Sequence, residues 1–188
     1  MNASTVRRNA SLQSLPRLLI ACALFIVSTA GMLQAQQDER AVRAAFVYNL
    51  AKYVRWPNQT REITVCAAGS DNMGPLLKTV IDGKDIDGRP IHVLLQPVEA
   101  NVSRCDIVYV SKAASTNTKT ILARIRGTTI LTVGEEDAFV GSGGMVGLVR
   151  IGDRMVLEVD LDTVRAAGLS ISSRLLDLAV TMHSGRRN

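Results

Sequence analysis

The closing stretch from Gly143 to Ala179, GGMVGLVRIGDRMVLEVDLDTVRAAGLSISSRLLDLA, constrains the fold more than any other part of this chain. Met145, Gly147 and Val149 alternate with Val146, Leu148 and Arg150, and Gly152-Asp153 then supplies a turn. Met155, Leu157, Val159 and Leu161 form a second alternating run whose other face carries Glu158 and Asp160. Successive side chains of a strand point to opposite faces, so one apolar and one acidic face describe a half-buried antiparallel hairpin. After it, Asp162 or Thr163 is placed to cap a short helical turn that Gly168 ends. Ser170, Ser172 or Ser173 is placed to cap a final helix, with Leu175, Leu176, Leu178 and Ala179 inward.

Upstream, Asp38 to Trp56 reads as a helix. Val42, Ala45, Phe46, Leu50, Tyr53 and Val54 fall at three- and four-residue intervals, and Arg40, Arg43, Lys52 and Arg55 lie largely off that stripe. Pro57 removes helical geometry from the residue before it and sets the end. Short β-rich runs follow at Glu62 to Ala67, Ile91 to Leu95, Cys105 to Val110 and Thr128 to Val133. Helical patterns lie between them, one after Asp71 and one over Thr116 to Arg126. The run CDIVYV is nearly continuous in apolar residues, as a strand buried on both faces should be. The expected fold is α/β, a single three-layer domain with a largely parallel sheet, an antiparallel edge hairpin and flanking helices. At 188 residues with 47% apolar content, one such domain and a leader account for the whole chain.

Residues 1–35 have the three parts of a secretory signal: arginines at 7, 8 and 17, an apolar core from Leu18 to Val27, and small residues after it. The expected division is therefore a signal peptide over 1–35 and a mature domain over 36–188, exported to the periplasm. Leu19-Ile20-Ala21-Cys22 matches a bacterial lipobox in letters, but it would leave an apolar core far below the usual roughly 7–15 residues. The Arg7-Arg8 pair lacks the apolar follow-up of twin-arginine export. An uncleaved anchor over Leu18 to Ala35 would end in the polar Ser28, Thr29, Gly31 and Gln34. All three alternatives still place the domain outside the cytoplasm. The formal charge of +5 belongs mostly to this leader. Setting its 3 arginines aside takes the 22 basic residues to 19, against 17 acidic, a net of +2. A mature domain so close to neutral has no electrostatic footprint for nucleic acid.

Two cysteines remain outside the leader, Cys66 and Cys105. In an exported domain they are most simply a disulfide, and the alternative is two separate buried thiols. No metal or other cofactor is expected, because His92 and His183 are the only histidines and neither has ligand spacing to a cysteine. Gly141-Ser142-Gly143-Gly144 invites a phosphate-loop reading, but the third slot of a dinucleotide fingerprint is Val146 and a strand follows where a helix is needed. A turn feeding the hairpin is the better reading. Glu135, Glu136 and Asp137 close a strand, where parallel sheets place ligand sites, although capping the next turn is the commoner use of such residues. No serine elbow occurs and no catalytic residues can be named, so the chain is not expected to be an enzyme.

The helix ending AFVYNLAKYVRWP, the strand CDIVYVS and the closing stretch together resemble the YfiR/HmsC-like family of periplasmic proteins, over roughly Arg40 to Ala179. The resemblance implies an α/β domain that dimerises and acts as a periplasmic negative regulator. Such a regulator would bind and inhibit an inner-membrane diguanylate cyclase (YfiN-like), and so lower cyclic-di-GMP, exopolysaccharide and biofilm output. An OmpA-like outer-membrane lipoprotein (YfiB-like) would relieve the inhibition by sequestering it. Cys66 and Cys105 fit a disulfide of the family, whereas a second cysteine pair found in relatives near the glycine-rich entry is missing from Val140 to Gly147. Exposed positions of the last unit, including Glu158 and Arg174, are expected to contribute to the partner interface. The other reading of the chain is a small-molecule-binding sensor domain with a pocket near the strand ends.

Overall fold

The computed structural model describes residues 39–58, 61–69, 72–96, 101–177 and 179–183, the last five by backbone alone. The expected signal peptide with Cys22, Asp38 at the start of the expected first helix, Asp71, Leu178 and the side chains of Ala179 and His183 lie outside the described residues. The chain divides into two compact units, Met1–Glu39 and Arg40–Asn188, and the fold belongs to the second.

Helix α1 (39–53) runs into a two-residue strand β1 (Val54–Arg55). Then come β2 (Ile63–Ala68), α2 (Met73–Ile81), β3 (Asp85–Ile86), β4 (Arg89–Gln96) and β5 (Ile107–Val110). A 3-10 segment (Lys112–Asn117) leads into α3 (Thr118–Ile125) and β6 (Leu131–Gly134). The last part holds β7 (Val146–Ile151), β8 (Arg154–Asp160), α4 (Leu161–Ala166), β9 (Ser170–Ile171), α5 (Ser173–Leu176) and β10 (Ala179–His183). Eight strands form one sheet in the order β10-β8-β7-β6-β5-β2-β4-β3, and β1 pairs with β9 in a small antiparallel sheet. Neighbours from β4 through β2, β5 and β6 to β7 are parallel. The turn-linked pairs β7/β8 and β3/β4 are antiparallel.

Every residue of β2, β5 and β6 is buried, which is why these strands read as unbroken apolar runs. Alternation along them builds two cores. Ile63, Val65, Ile107, Tyr109, Leu131 and Val133 face α1 and α2. Cys66, Ala68, Val108 and Val110 face Ile121, Leu122 and Ile125 of α3. These are the three layers the sequence leads one to expect.

The hairpin forms in register from Val146↔Val159 to Ile151↔Arg154, and Gly152 turns it at φ 59°. It is not the sheet edge. Strand β10 adds in parallel outside β8, where a final helix was expected. That helix is one turn, α5, with Leu175 fully buried, and the β-branched AVTMH run after it takes the free edge of β8. The cap of α4 also differs from expectation. Asp160, not Asp162 or Thr163, holds the N-cap, and its carboxylate accepts from the N–H groups of Asp162 and Thr163 at 3.0 Å.

Helix α1 is rotated from the expected stripe. It buries Ala44, Val47, Leu50 and Ala51, while Val42 is 43% exposed and Ala45 is exposed. Two adjacent faces of this helix are apolar, and the one carrying Ala44, Val47 and Ala51 is the one the fold buries. Periodicity alone cannot choose between such faces.

Candidate functional site

Cys66 lies in mid-β2 and points to the α3 side, and Cys105 lies just before β5, the parallel neighbour of β2. Their Cα atoms are 5.8 Å apart and their sulfurs are bonded, 39 residues apart in sequence. The reading as separate thiols is set aside. Asp106, next to the bridge, exchanges bonds with β2: its N–H donates to the Thr64 carbonyl, and its Oδ2 accepts from the Thr64 N–H, both at 2.8 Å. Its carbonyl accepts from the N–H of Leu131 at 2.8 Å. Burial pushes the Asp106 carboxyl above its ordinary range, opposed by the Thr64 hydrogen bond and by Arg89, and reinforced by Glu62. The bridge and Asp106 thus pin β5 to β2 at the point where the chain returns from its excursion to β4.

At the other end of the same strands, the acidic triplet is divided among roles. The hydroxyl of Tyr109, at the end of β5, donates to Oε1 of Glu135. The Nε of Arg43 on α1 faces Oε2 of Glu135 at 3.4 Å, as a charge contact and not an aligned hydrogen bond. Only 16% of the Arg43 side chain and 8% of Glu135 are exposed, so this trio clamps α1 onto the sheet. Arg43 was expected off the buried stripe and is instead drawn to it by the carboxylate. Glu136 uses its carbonyl to receive the N–H of Phe139 at 2.9 Å, and Asp137 is exposed. Glu135 is therefore occupied within the fold. The sequence singles out the triplet but not these partners, which are 26 residues away in one case and 92 in the other.

The glycine-rich segment serves packing. Phe139 is fully buried, and its ring lies against both Gly134 and Gly144, where any Cβ would overlap it. The connection closes when the N–H of Met145 donates to Oγ1 of Thr132 at 2.8 Å. A turn entering a hairpin is what the segment forms.

Glu158 is half-buried on β8, opposite Gly147, and its carboxylate lies on the side of Val140. Its neighbours Leu157 and Val159 point the other way, into the core below α1. Arg174 is exposed on α5, whose Leu175 belongs to that second side. Of the two histidines, His92 is exposed and faces Glu62 at 3.5 Å across the starts of β4 and β2.

A family model described as YfiR/HmsC-like matches residues 40–180. Among solved structures, a conserved domain protein from Vibrio cholerae O1 biovar eltor is similar at 10% identity and a TM-score of 0.51, over 64% of this chain and 54% of that one. An ABC domain from Streptococcus pneumoniae, solved in complex with L-Trp, is similar at 11% identity and a TM-score of 0.48, over 64% and 55%. The chain spans about half the length of either, and the first likeness speaks to the fold alone.

Proposed function

This chain belongs to the YfiR/HmsC-like family, and on that premise we propose that it is a periplasmic regulator that works by binding. Its target is an inner-membrane diguanylate cyclase, which it holds inactive, lowering cyclic-di-GMP and with it exopolysaccharide and biofilm output. An OmpA-like outer-membrane lipoprotein draws it away and releases the cyclase, and a homodimer is the working form. The single observation that supports this reading is the extent of the family match. It runs over residues 40–180 and coincides with the compact unit Arg40–Asn188. Residues 1–35 act as the cleaved leader that delivers the unit to the periplasm.

Regulation by contact needs an apolar patch with a polar rim and no bond-making step. Glu158 and Arg174 are the charges of the last unit assigned to that rim. The test is co-purification of the cyclase from detergent-solubilised envelopes on tagged protein. Wild type retains the cyclase, and Glu158→Arg or Arg174→Glu lowers capture by about tenfold, as reversal of a rim charge adds repulsion. Unchanged capture by both variants removes these residues from the interface. No capture by wild type contradicts the function.

A further inference from the structure

A cavity of about 360 Å³ lies between the C-terminal end of α3 and helix α4, beside the entry to β7. Leu122 and Ile125 of α3, with Met145 and Ala167, give it an apolar wall, and all four are buried. Gly127 and Gly143 also line it, and neither has an atom within 4 Å of where a side chain would begin, so the wall is open there. The volume is at the small end of ligand sites, which suits one alkyl chain and excludes a two-chain lipid. It shares no residue with the disulfide corner or with the Arg43, Tyr109 and Glu135 contact.

The charge around it has one sign. Arg126 is the single charged residue of the lining, and it is exposed, so a ligand reaches it from solvent. No ion pair holds it among the described residues. From Ile107 to Gly134 the chain has no acidic residue, while Lys112, Lys119, Arg124 and Arg126 are all exposed. The acids nearest in sequence on the α4 side are engaged: Asp160 caps that helix, and Asp162 faces Arg165 at 3.4 Å. The last carbonyl of α3, at Ile125, is occupied too, because it accepts from the N–H and the hydroxyl of Thr128 at 3.1 and 2.6 Å.

These features select among ligands. An organic cation finds no counter-charge in the lining. A dianion such as a phosphate monoester brings two charges to one guanidinium. A carboxylate matches that guanidinium in charge and in its two-pronged hydrogen-bond geometry. An apolar body on the carboxylate takes the exposed part of the wall out of water, and the unbranched Met145 side chain adapts to the path of a chain. We propose that this cavity binds a single-chain alkyl carboxylate, a medium-chain fatty acid, with Arg126 pairing with the carboxylate at the mouth and the chain lying against Leu122, Ile125 and Met145. The inference does not depend on the cyclase reading, because binding is measured on the isolated protein.

Decanoate is the probe, titrated into the purified protein and followed by calorimetry. Saturable binding with a Kd below about 100 μM is expected, with decyltrimethylammonium and acetate giving none. Arg126→Gln removes the charge and weakens binding by about tenfold or more. Ala166→Trp fills the cavity from an exposed position on α4 and weakens binding by at least as much. Circular dichroism checks that both variants are folded. If either is not, methionine-methyl spectra of the unaltered protein decide. Decanoate shifts the signal of Met145, which lines the cavity, and leaves that of Met155, which does not. Absence of saturable binding, equal affinity for decyltrimethylammonium or acetate, wild-type affinity in either folded variant, or an unmoved Met145 signal overturns the proposal.

Discussion

Reducing the Cys66–Cys105 bridge changes one covalent bond and leaves the side chains in place, so its effect on stability can be worked from the topology. The bond closes a loop with a sequence separation of 39. In the chain-entropy treatment, restricting the unfolded chain in this way stabilises the fold by about 4 kcal/mol at 25 °C. With a urea slope of about 2 kcal/mol/M for a domain of this size, reduction lowers the unfolding midpoint by about 2 M. The loop contains α2, β3 and β4, and β4 lies on the far side of β2 from β5. Without the bridge, β5 must find β2 by closing that loop unaided, an entropy loss met before the contacts form. The deficit therefore falls mainly on the folding rate, by up to about a thousandfold if all of it does. Cys66 is fully buried and Cys105 is 5% exposed, so the protein is reduced while unfolded and then refolded. Urea melts and stopped-flow chevrons of the oxidised and reduced forms, followed by Trp56 emission, give both quantities. Equal midpoints for forms shown by thiol titration to differ in oxidation would refute the reasoning. Two free thiols in the protein before reduction would remove its premise.

Other consequences concern single side chains. Glu135→Ala removes the carboxylate that the largely buried Arg43 faces and the acceptor of the Tyr109 hydroxyl, and lowers stability by about 3 kcal/mol, while Tyr109→Phe costs about 1 kcal/mol, both read from urea melts. Gly144→Ala drives a methyl group into the Phe139 ring and destabilises by about 2 kcal/mol in the same assay, whereas Gly143→Ser at the neighbouring open position is penalised only for its φ of 98°. Burial raises the Asp106 carboxyl above 3.8, so the folded protein holds this proton more tightly than the unfolded chain. Its stabilising contribution is complete below the ordinary carboxylate range and is lost as pH rises through the folded value. Asp106→Asn lacks that loss, and its stability relative to wild type, measured from about pH 4 to about pH 7, increases with pH.

Much of the architecture was legible from period alone. The strands β2, β5 and β6 are buried on both faces and announce themselves as apolar runs, and the β7/β8 hairpin shows its alternation around Gly152-Asp153. Compartment chemistry pointed to the Cys66–Cys105 pair, and the structure brings the two sulfurs together. What escaped depends on contacts far apart in sequence. The rotation of α1 buries Ala44 and Ala51 and brings Arg43 to Glu135, a contact that no helical repeat encodes. The final helix was expected to reach Ala179, but α5 holds only Leu175 and Leu176 of that set, and Ala179 starts strand β10 on the free edge of β8. Gly144 read as flexible chain, yet it is there to admit Phe139. Trp56 looked like the last residue of an apolar helix, and only the assembled strands show it buried beside a cavity at their starts.

Regulation of a cyclase by contact is tested most directly in the cell. Cyclic-di-GMP is measured in a strain lacking this gene, in one lacking the membrane cyclase, and in one lacking both. The account predicts a rise in the first that disappears in the double deletion. An unchanged level in the first strain, or a rise that persists without the cyclase, would contradict it.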